Sequence, residues 1–187
     1  MHACLGAMMA LHQVHLTGKG QVIDASIYES VLNMMENIVT EYDVGDYIRE
    51  RTGSFLPKIA PSNIYPTKDG IWLVIGANQD SVWARMADAM ERPELATDER
   101  YATHGARGIN QIELDELISA WTKTFSAADL EERLNEFGIP NGKIYRPPEM
   151  LVDPQFQARD SIVRVDHPEL GNVAMQNVTP RLSETQG

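Results

Sequence analysis

The stretch "HLTGKGQVIDASIYESVLNMM", residues 15–35, sets a Gly-flanked basic turn before a short strand-like run and an apolar helix. Gly18 suits the left-handed position that ends a helix. "QVIDAS", with Val22 between polar neighbours, reads as a strand over Gln21–Ala25. Ser26 is placed to cap the next helix, with Glu29 completing a capping box. Val31, Leu32, Met34, Met35, Ile38 and Val39 then predict one helix from about Ile27 to Gly45. Upstream, Ala3–Leu16 carries Leu5, Met8, Met9 and Leu11 with almost no polar face, as in a helix buried on most sides. A strand and a buried helix both need neighbours, and the residues before them offer few.

Downstream, "GDYIRERTGSFLPKIAPSN" replaces apolar periodicity with Gly, Pro and mixed charge and reads as a linker. Two β-rich runs, Asn63–Tyr65 and Ile71–Ile75, flank "PTKDG", where Asp69-Gly70 signals a hairpin. Helical spacing follows over Asp80–Met90, through Val82, Trp83, Met86, Ala87 and Met90. It recurs from Gly108 to about Phe125, through Leu114, Leu117, Ile118 and Trp121. Between these two, "DERYATHGAR" reads as a solvated connecting face. Ser126 caps a further helix, with Asp129 three residues on, and Gly138 stops it. "SIVRVDHPELGNVAMQNVTPRL" reads as two strands around a turn.

The 187 residues carry 27 acidic against 16 basic side chains, a net charge of −11. This disfavours non-specific nucleic-acid binding and an anionic membrane surface. No apolar run reaches the length of a membrane span. The polar His2, His12, Gln13 and His15 and the missing basic segment argue against a signal peptide. One cysteine, Cys4, excludes an intrachain disulfide and fits a cytoplasmic location; its apolar helical setting reads as a buried, inert thiol. Met8, Met9, Met34 and Met35 read as core filler.

Chemistry-bearing constellations are sparse. His12 and His15 share a helix face without a third ligand nearby, so no metal site is expected. "TGKG" lacks the Lys-Ser/Thr pair of a phosphate loop, and there is no GxGxxG. Asp24 and Glu29 flank the strand–helix junction, where capping and neutralisation of the helix dipole account for them. The residues alone contain no complete catalytic set.

Six segments in order carry a resemblance. "LTGKGQVIDASIYESVL" and "APSNIYPTKDGIWLVIGANQ" are followed by "RPELATDERYATHGARGINQIEL" and "FGIPNGKIY". "DPQFQARDSIV" and "HPELGNVAMQNVTPRLSET" complete the series. Together the chain resembles the C-terminal half of the class III CoA-transferases, the group of formyl-CoA transferase, carnitine CoA-transferase and α-methylacyl-CoA racemase.

That resemblance implies an α/β fold: part of a Rossmann-like large domain with an inserted smaller α/β domain, from a family of interlocked dimers. Residues 1–47 would end the N-terminal part of the large domain. Residues 48–145 would be the small domain with its linkers, and residues 146–187 would return to the large domain. The implied activity is transfer of CoA between an acyl-CoA thioester and a small carboxylic acid, with coenzyme A thioester as substrate and no covalently bound cofactor. The nucleophilic aspartate would lie upstream of Met1, so the chain alone is expected to be inactive. The family's glycine-rich loop over the reacting acyl group falls near Gly53–Ser62, here "GSFLPKIAPS" with one glycine. Gly53, Ser54 and Lys58 are its candidate substrate-binding residues. A homodimer or a complementing chain is the implied partner. Two alternatives are an acyl-CoA racemase of the same fold and a non-catalytic subunit or binding module completed by another chain.

Overall fold

The computed structural model describes residues 1–185. The chain divides into two compact units, Met1–Arg51 and Thr52 onward.

In the first unit, α1 (His2–Thr17) ends at Gly18, whose φ of 71° lets its N–H reach the Val14 carbonyl. Only Ala10 of α1 is buried, so the helix is not enclosed as its apolar sequence suggests. Cys4 is exposed, and Met8, Met9, Met34 and Met35 are exposed rather than packed. The expected strand at Gln21–Ala25 does not form, because no strand is present in this unit to accept its backbone hydrogen bonds.

The single helix expected over Ile27–Gly45 is two: α2 (Ile27–Met34) and α3 (Ile38–Gly45). Ser26 caps α2 as expected, accepting from the Glu29 N–H while its hydroxyl donates to the Glu29 carboxylate at 2.7 Å. The interruption lies at Glu36, in the left-handed region at φ 58°. Arg49 holds that bend by donating to Glu36 at 3.2 Å and, through Nε and Nη2, to both carboxylate oxygens of Glu41. One guanidinium thus clamps carboxylates from both sides of the break.

In the second unit, β1 (Ser62–Pro66) and β2 (Trp72–Gly76) form the expected hairpin, in register Ser62↔Gly76 to Pro66↔Trp72. Gly70 takes φ 77° in the turn, which a side chain would resist. The sheet continues through α4 (Asp80–Ala89), a 3-10 turn (Pro93–Ala96), α5 (His104–Ile109), α6 (Gln111–Thr122) and α7 (Ala127–Glu136). It then gains β3 (Asn141–Lys143), antiparallel to β2. The order β1-β2-β3 leaves β2 central. Leu73 and Ile75 of β2 are buried while Trp72 and Val74 on the other face are exposed, so the strand offers one face to the helices.

That face meets Trp83, Met86, Leu114, Ile118, Leu130 and Leu134 in one core. Burying each such side chain contributes about 1.5–3 kcal/mol. The helix expected from Gly108 to Phe125 is divided at Asn110 into α5 and α6. The Asn110 amide explains the join: it donates to the carbonyls of both Arg100 and Ala106. Ser126 caps α7, and Gly138 stops it at φ 61°. "DERYATHGAR" is not the solvated face expected, because Tyr101 and Arg107 are fully buried.

Beyond β3 come α8 (Pro147–Met150) and α9 (Pro154–Ala158). Asp153 caps α9 and also accepts from the Tyr145 hydroxyl at 2.7 Å. The second expected strand pair is β4 (Ile162–His167) and β5 (Gly171–Gln176), joined through the anticipated turn.

Candidate functional site

Gly53, Ser54 and Lys58 lie on one loop, Thr52–Pro61, that leads into β1. The loop is folded on itself: the Thr52 hydroxyl donates to the Phe55 carbonyl at 2.7 Å, and the Ile59 N–H reaches the Leu56 carbonyl. Gly53 takes φ 77°. Lys58 takes φ 67°, a backbone region that residues other than glycine rarely occupy.

Each end of the loop has its own support. At the first, the Ser54 hydroxyl donates to Asn63 Oδ1 at 2.6 Å, and Asn63 Nδ2 donates to Asp115 Oδ2 at 2.9 Å. The Tyr65 hydroxyl donates to the other oxygen of Asp115. Burial, and then the Asp115 charge, push the Tyr65 hydroxyl far above its ordinary pKa, so it remains a donor. Beside this network lies an open groove of about 490 Å³, bordered by Phe55, Asn63, Ile112, Asp115, Ser119 and Lys123.

At the second end, the loop rests on α5 and α6. Gln111, the first residue of α6, is 4 % exposed. Its Oε1 accepts from the Lys58 N–H at 2.9 Å; its Nε2 donates to the Leu56 and Ile59 carbonyls at 3.1 and 3.2 Å. Only this orientation of the amide matches one donor and two acceptors. Gly108 lies directly under Lys58: a Cβ there would be 2.6 Å from the Lys58 carbonyl oxygen. Arg107 continues the anchorage, donating to the carbonyls of Ala60, Tyr101 and Asn78 and to Asp80.

The three candidates from sequence therefore share one loop, Ser54 on one support and Lys58 on the other. Asn63, Asp115, Arg107 and Gln111 were not legible as their supports, since each acts across some ten to more than fifty residues of sequence. Glu29 is engaged in capping, as its position suggested. Among the described residues, no cluster of three or more His, Cys, Asp or Glu is arranged to hold a metal ion. No helix among them is long and apolar enough to cross a membrane.

The profile of CoA-transferase family III matches residues 1–187. The chain belongs to CoA-transferase family III. It is 57 % identical over 185 residues to a succinyl-CoA–D-citramalate CoA-transferase of Chloroflexus aurantiacus, covering 99 % of this chain and 46 % of that one. It is 34 % identical over 189 residues to the beta subunit of a succinyl-CoA–L-malate CoA-transferase of the same organism, covering all of this chain and 47 % of that subunit. A crystal structure of a CAIB/BAIF family protein from Brucella suis superposes with TM-score 0.72 at 29 % identity, over 97 % of this chain and 47 % of that one. Rv3272 from M. tuberculosis shares the fold at TM-score 0.78 and 19 % identity, over 97 % and 47 %. The chain spans about half the length of the family III relatives it matches. The mixed α/β architecture is thus that of a family III protein.

Proposed function

We propose that this chain is the C-terminal part of a CoA-transferase. The whole enzyme moves CoA from a succinyl-type thioester to a small hydroxy-dicarboxylate of the citramalate kind. The observation that carries the reading is the 57 % identity, over 99 % of this chain, to a relative with that named activity. The nucleophile is a carboxylate supplied from outside residues 1–187. It attacks the thioester carbonyl, expels CoA as thiolate and forms a mixed anhydride. The thiolate then attacks the enzyme's own acyl carbon, releasing the first acid and leaving an enzyme-bound CoA thioester. The acceptor carboxylate attacks that thioester, expelling CoA thiolate and forming a second mixed anhydride. The thiolate then attacks the acceptor's acyl carbon, giving the new thioester and freeing the enzyme carboxylate.

An anhydride survives only where water is kept away. In this reading the Thr52–Pro61 loop supplies that cover. Lys58 is the only Lys or Arg between Gly53 and Ser62 and pairs with the free carboxylate of a dicarboxylic substrate. Residues 48–145 form the inserted small domain, and residues 1–47 and 146–187 belong to a large domain completed elsewhere. The main core supports this, since every residue of it lies between Ala60 and Ile139. The exposed Met8, Met9, Met34 and Met35 support association with a second copy or a complementing chain; the single cysteine fits a location in the cytoplasm. Relatives named as alpha and beta subunits, each matched over all of this chain, support assembly with another family III chain.

The test uses succinyl-CoA and citramalate, with mass detection of the exchanged thioester. The chain alone transfers no CoA. Joined with an upstream half from a family III relative, it restores exchange and leaves the monomer position in light scattering. Robust turnover by the chain alone overturns the reading.

A further inference from the structure

We infer that Gln111 is a positioning residue, which latches the Leu56–Ile59 end of the loop onto α6 and sets the shape in which the loop covers the acyl group. The proposal rests on the reading of Thr52–Pro61 as that cover.

Lys58 occupies the left-handed region at φ 67° without being glycine. Such a conformation persists only where surrounding contacts overdetermine it, and it gathers at functional sites. Gln111 provides those contacts. Its amide closes three hydrogen bonds to the backbone of a four-residue turn, and it is nearly inaccessible to water. Gly108 adds the second condition, because only a residue without a side chain lets the Lys58 carbonyl come so close to α5.

The consequence is a loop with two unequal halves. Leu56–Ile59 is fixed from below by a buried amide. Gly53 and Ser54 are exposed, and the Ser54 hydroxyl is held to Asn63 by a single bond at 2.6 Å. Opening and closing therefore fall to Thr52–Phe55, while Lys58 stays in place as substrates exchange. A loop with one glycine still serves as a cover, because its conformational demand at Lys58 is met by Gln111 instead of by more glycine.

The experiment compares wild type, Gln111→Met and Gln111→Glu in two measurements. Hydrogen exchange on this chain reads the Lys58 amide. Gln111→Met is expected to speed its exchange about tenfold, the scale of one lost hydrogen bond, with the Leu73 and Ile75 amides unchanged. Gln111→Glu keeps an acceptor for that N–H but sets a carboxylate oxygen against the Leu56 and Ile59 carbonyls, so it is expected to speed the Lys58 exchange as well. Kinetics on the transferase completed by an upstream half read the chemistry. Gln111→Met is expected to lower kcat roughly 10–100-fold, with KM for the acyl-CoA little changed and a larger share of thioester lost to hydrolysis.

Unchanged Lys58 exchange in Gln111→Met overturns the latch. Faster exchange with unchanged kcat and no added hydrolysis overturns its role in positioning. A completed wild-type enzyme without transferase activity overturns the functional reading and, with it, the positioning role, while the exchange measurement still reports whether the latch exists.

Discussion

Arg107 Nη2 lies 2.6 Å from Asp80 Oδ1, although the two side chains occupy opposite surroundings: Arg107 is fully buried and the Asp80 side chain is 64 % exposed. The same Nη2 also donates to the Asn78 carbonyl, Nε and Nη1 donate to those of Ala60 and Tyr101, and the guanidinium lies 5.8 Å from the Trp83 ring centre. A charge inside the protein is tolerated because every direction it faces holds an oxygen or a ring.

Arg107→Lys is consequently not a conservative change. An ammonium is a compact donor that cannot span acceptors arranged for a planar fork. Two or more carbonyls lose their donor, at about 1–3 kcal/mol each. The expected drop in Tm is roughly 6–12 °C for a loss of about 3 kcal/mol in a protein of this size. Thermal melts followed by circular dichroism check it; an unchanged Tm contradicts the network.

Asp80→Asn tests the same pair by pH. The hydrogen bond from Arg107, before any other cause, holds the Asp80 carboxyl below its ordinary range. A carboxylate with a lowered folded pKa contributes stability that is fully present above its unfolded value, about 3.9, and lost as pH falls through the folded value. Wild type is therefore expected to melt above Asp80→Asn by a constant margin at neutral to mildly acidic pH. That margin closes as pH drops below about 4. A margin that widens on acidification contradicts the assignment.

Two glycines on α5 give a paired prediction. Gly108→Ala places a methyl 2.6 Å from the Lys58 carbonyl oxygen, a backbone atom that cannot swing aside. The expected cost is about 1–3 kcal/mol. Gly105→Ala meets nothing within 4 Å and is expected to be neutral or to gain up to about 1 kcal/mol of helix propensity. Urea denaturation of both variants checks the contrast; equal effects contradict the close approach.

The legible parts of the fold are those coded by neighbours. Asp69-Gly70 announced the β1–β2 hairpin, Ser26 and Ser126 their caps, and Gly18 and Gly138 the helix ends. Val82, Trp83 and Met86 marked the buried side of α4 by spacing alone. The misreadings came where distant groups decide. Glu36 breaks a continuous apolar helix pattern because Arg49 grips it. β3, with the sequence Asn-Gly-Lys, has no strand character of its own and exists because β2 offers it a ladder. At the candidate site, the loop was found through family likeness. Its supports Gln111 and Arg107 were hidden because a buried polar side chain looks, in sequence, like any surface one.

The position of β3 also bears on how the chain is made. Ile75 pairs with Asn141, sixty-six positions later, so the central strand cannot complete its second edge while α4 through α7 are being synthesised. At ordinary rates of elongation the interval is roughly 3–13 s. During it the nascent protein carries a hairpin with one open flank, and unpaired flanks of this kind recruit stray strands. The hairpin's other flank, β1, ends in Pro66, which lacks an amide to offer. The exposure during translation is therefore concentrated on β2, and it ends only when a three-residue strand emerges to seal it.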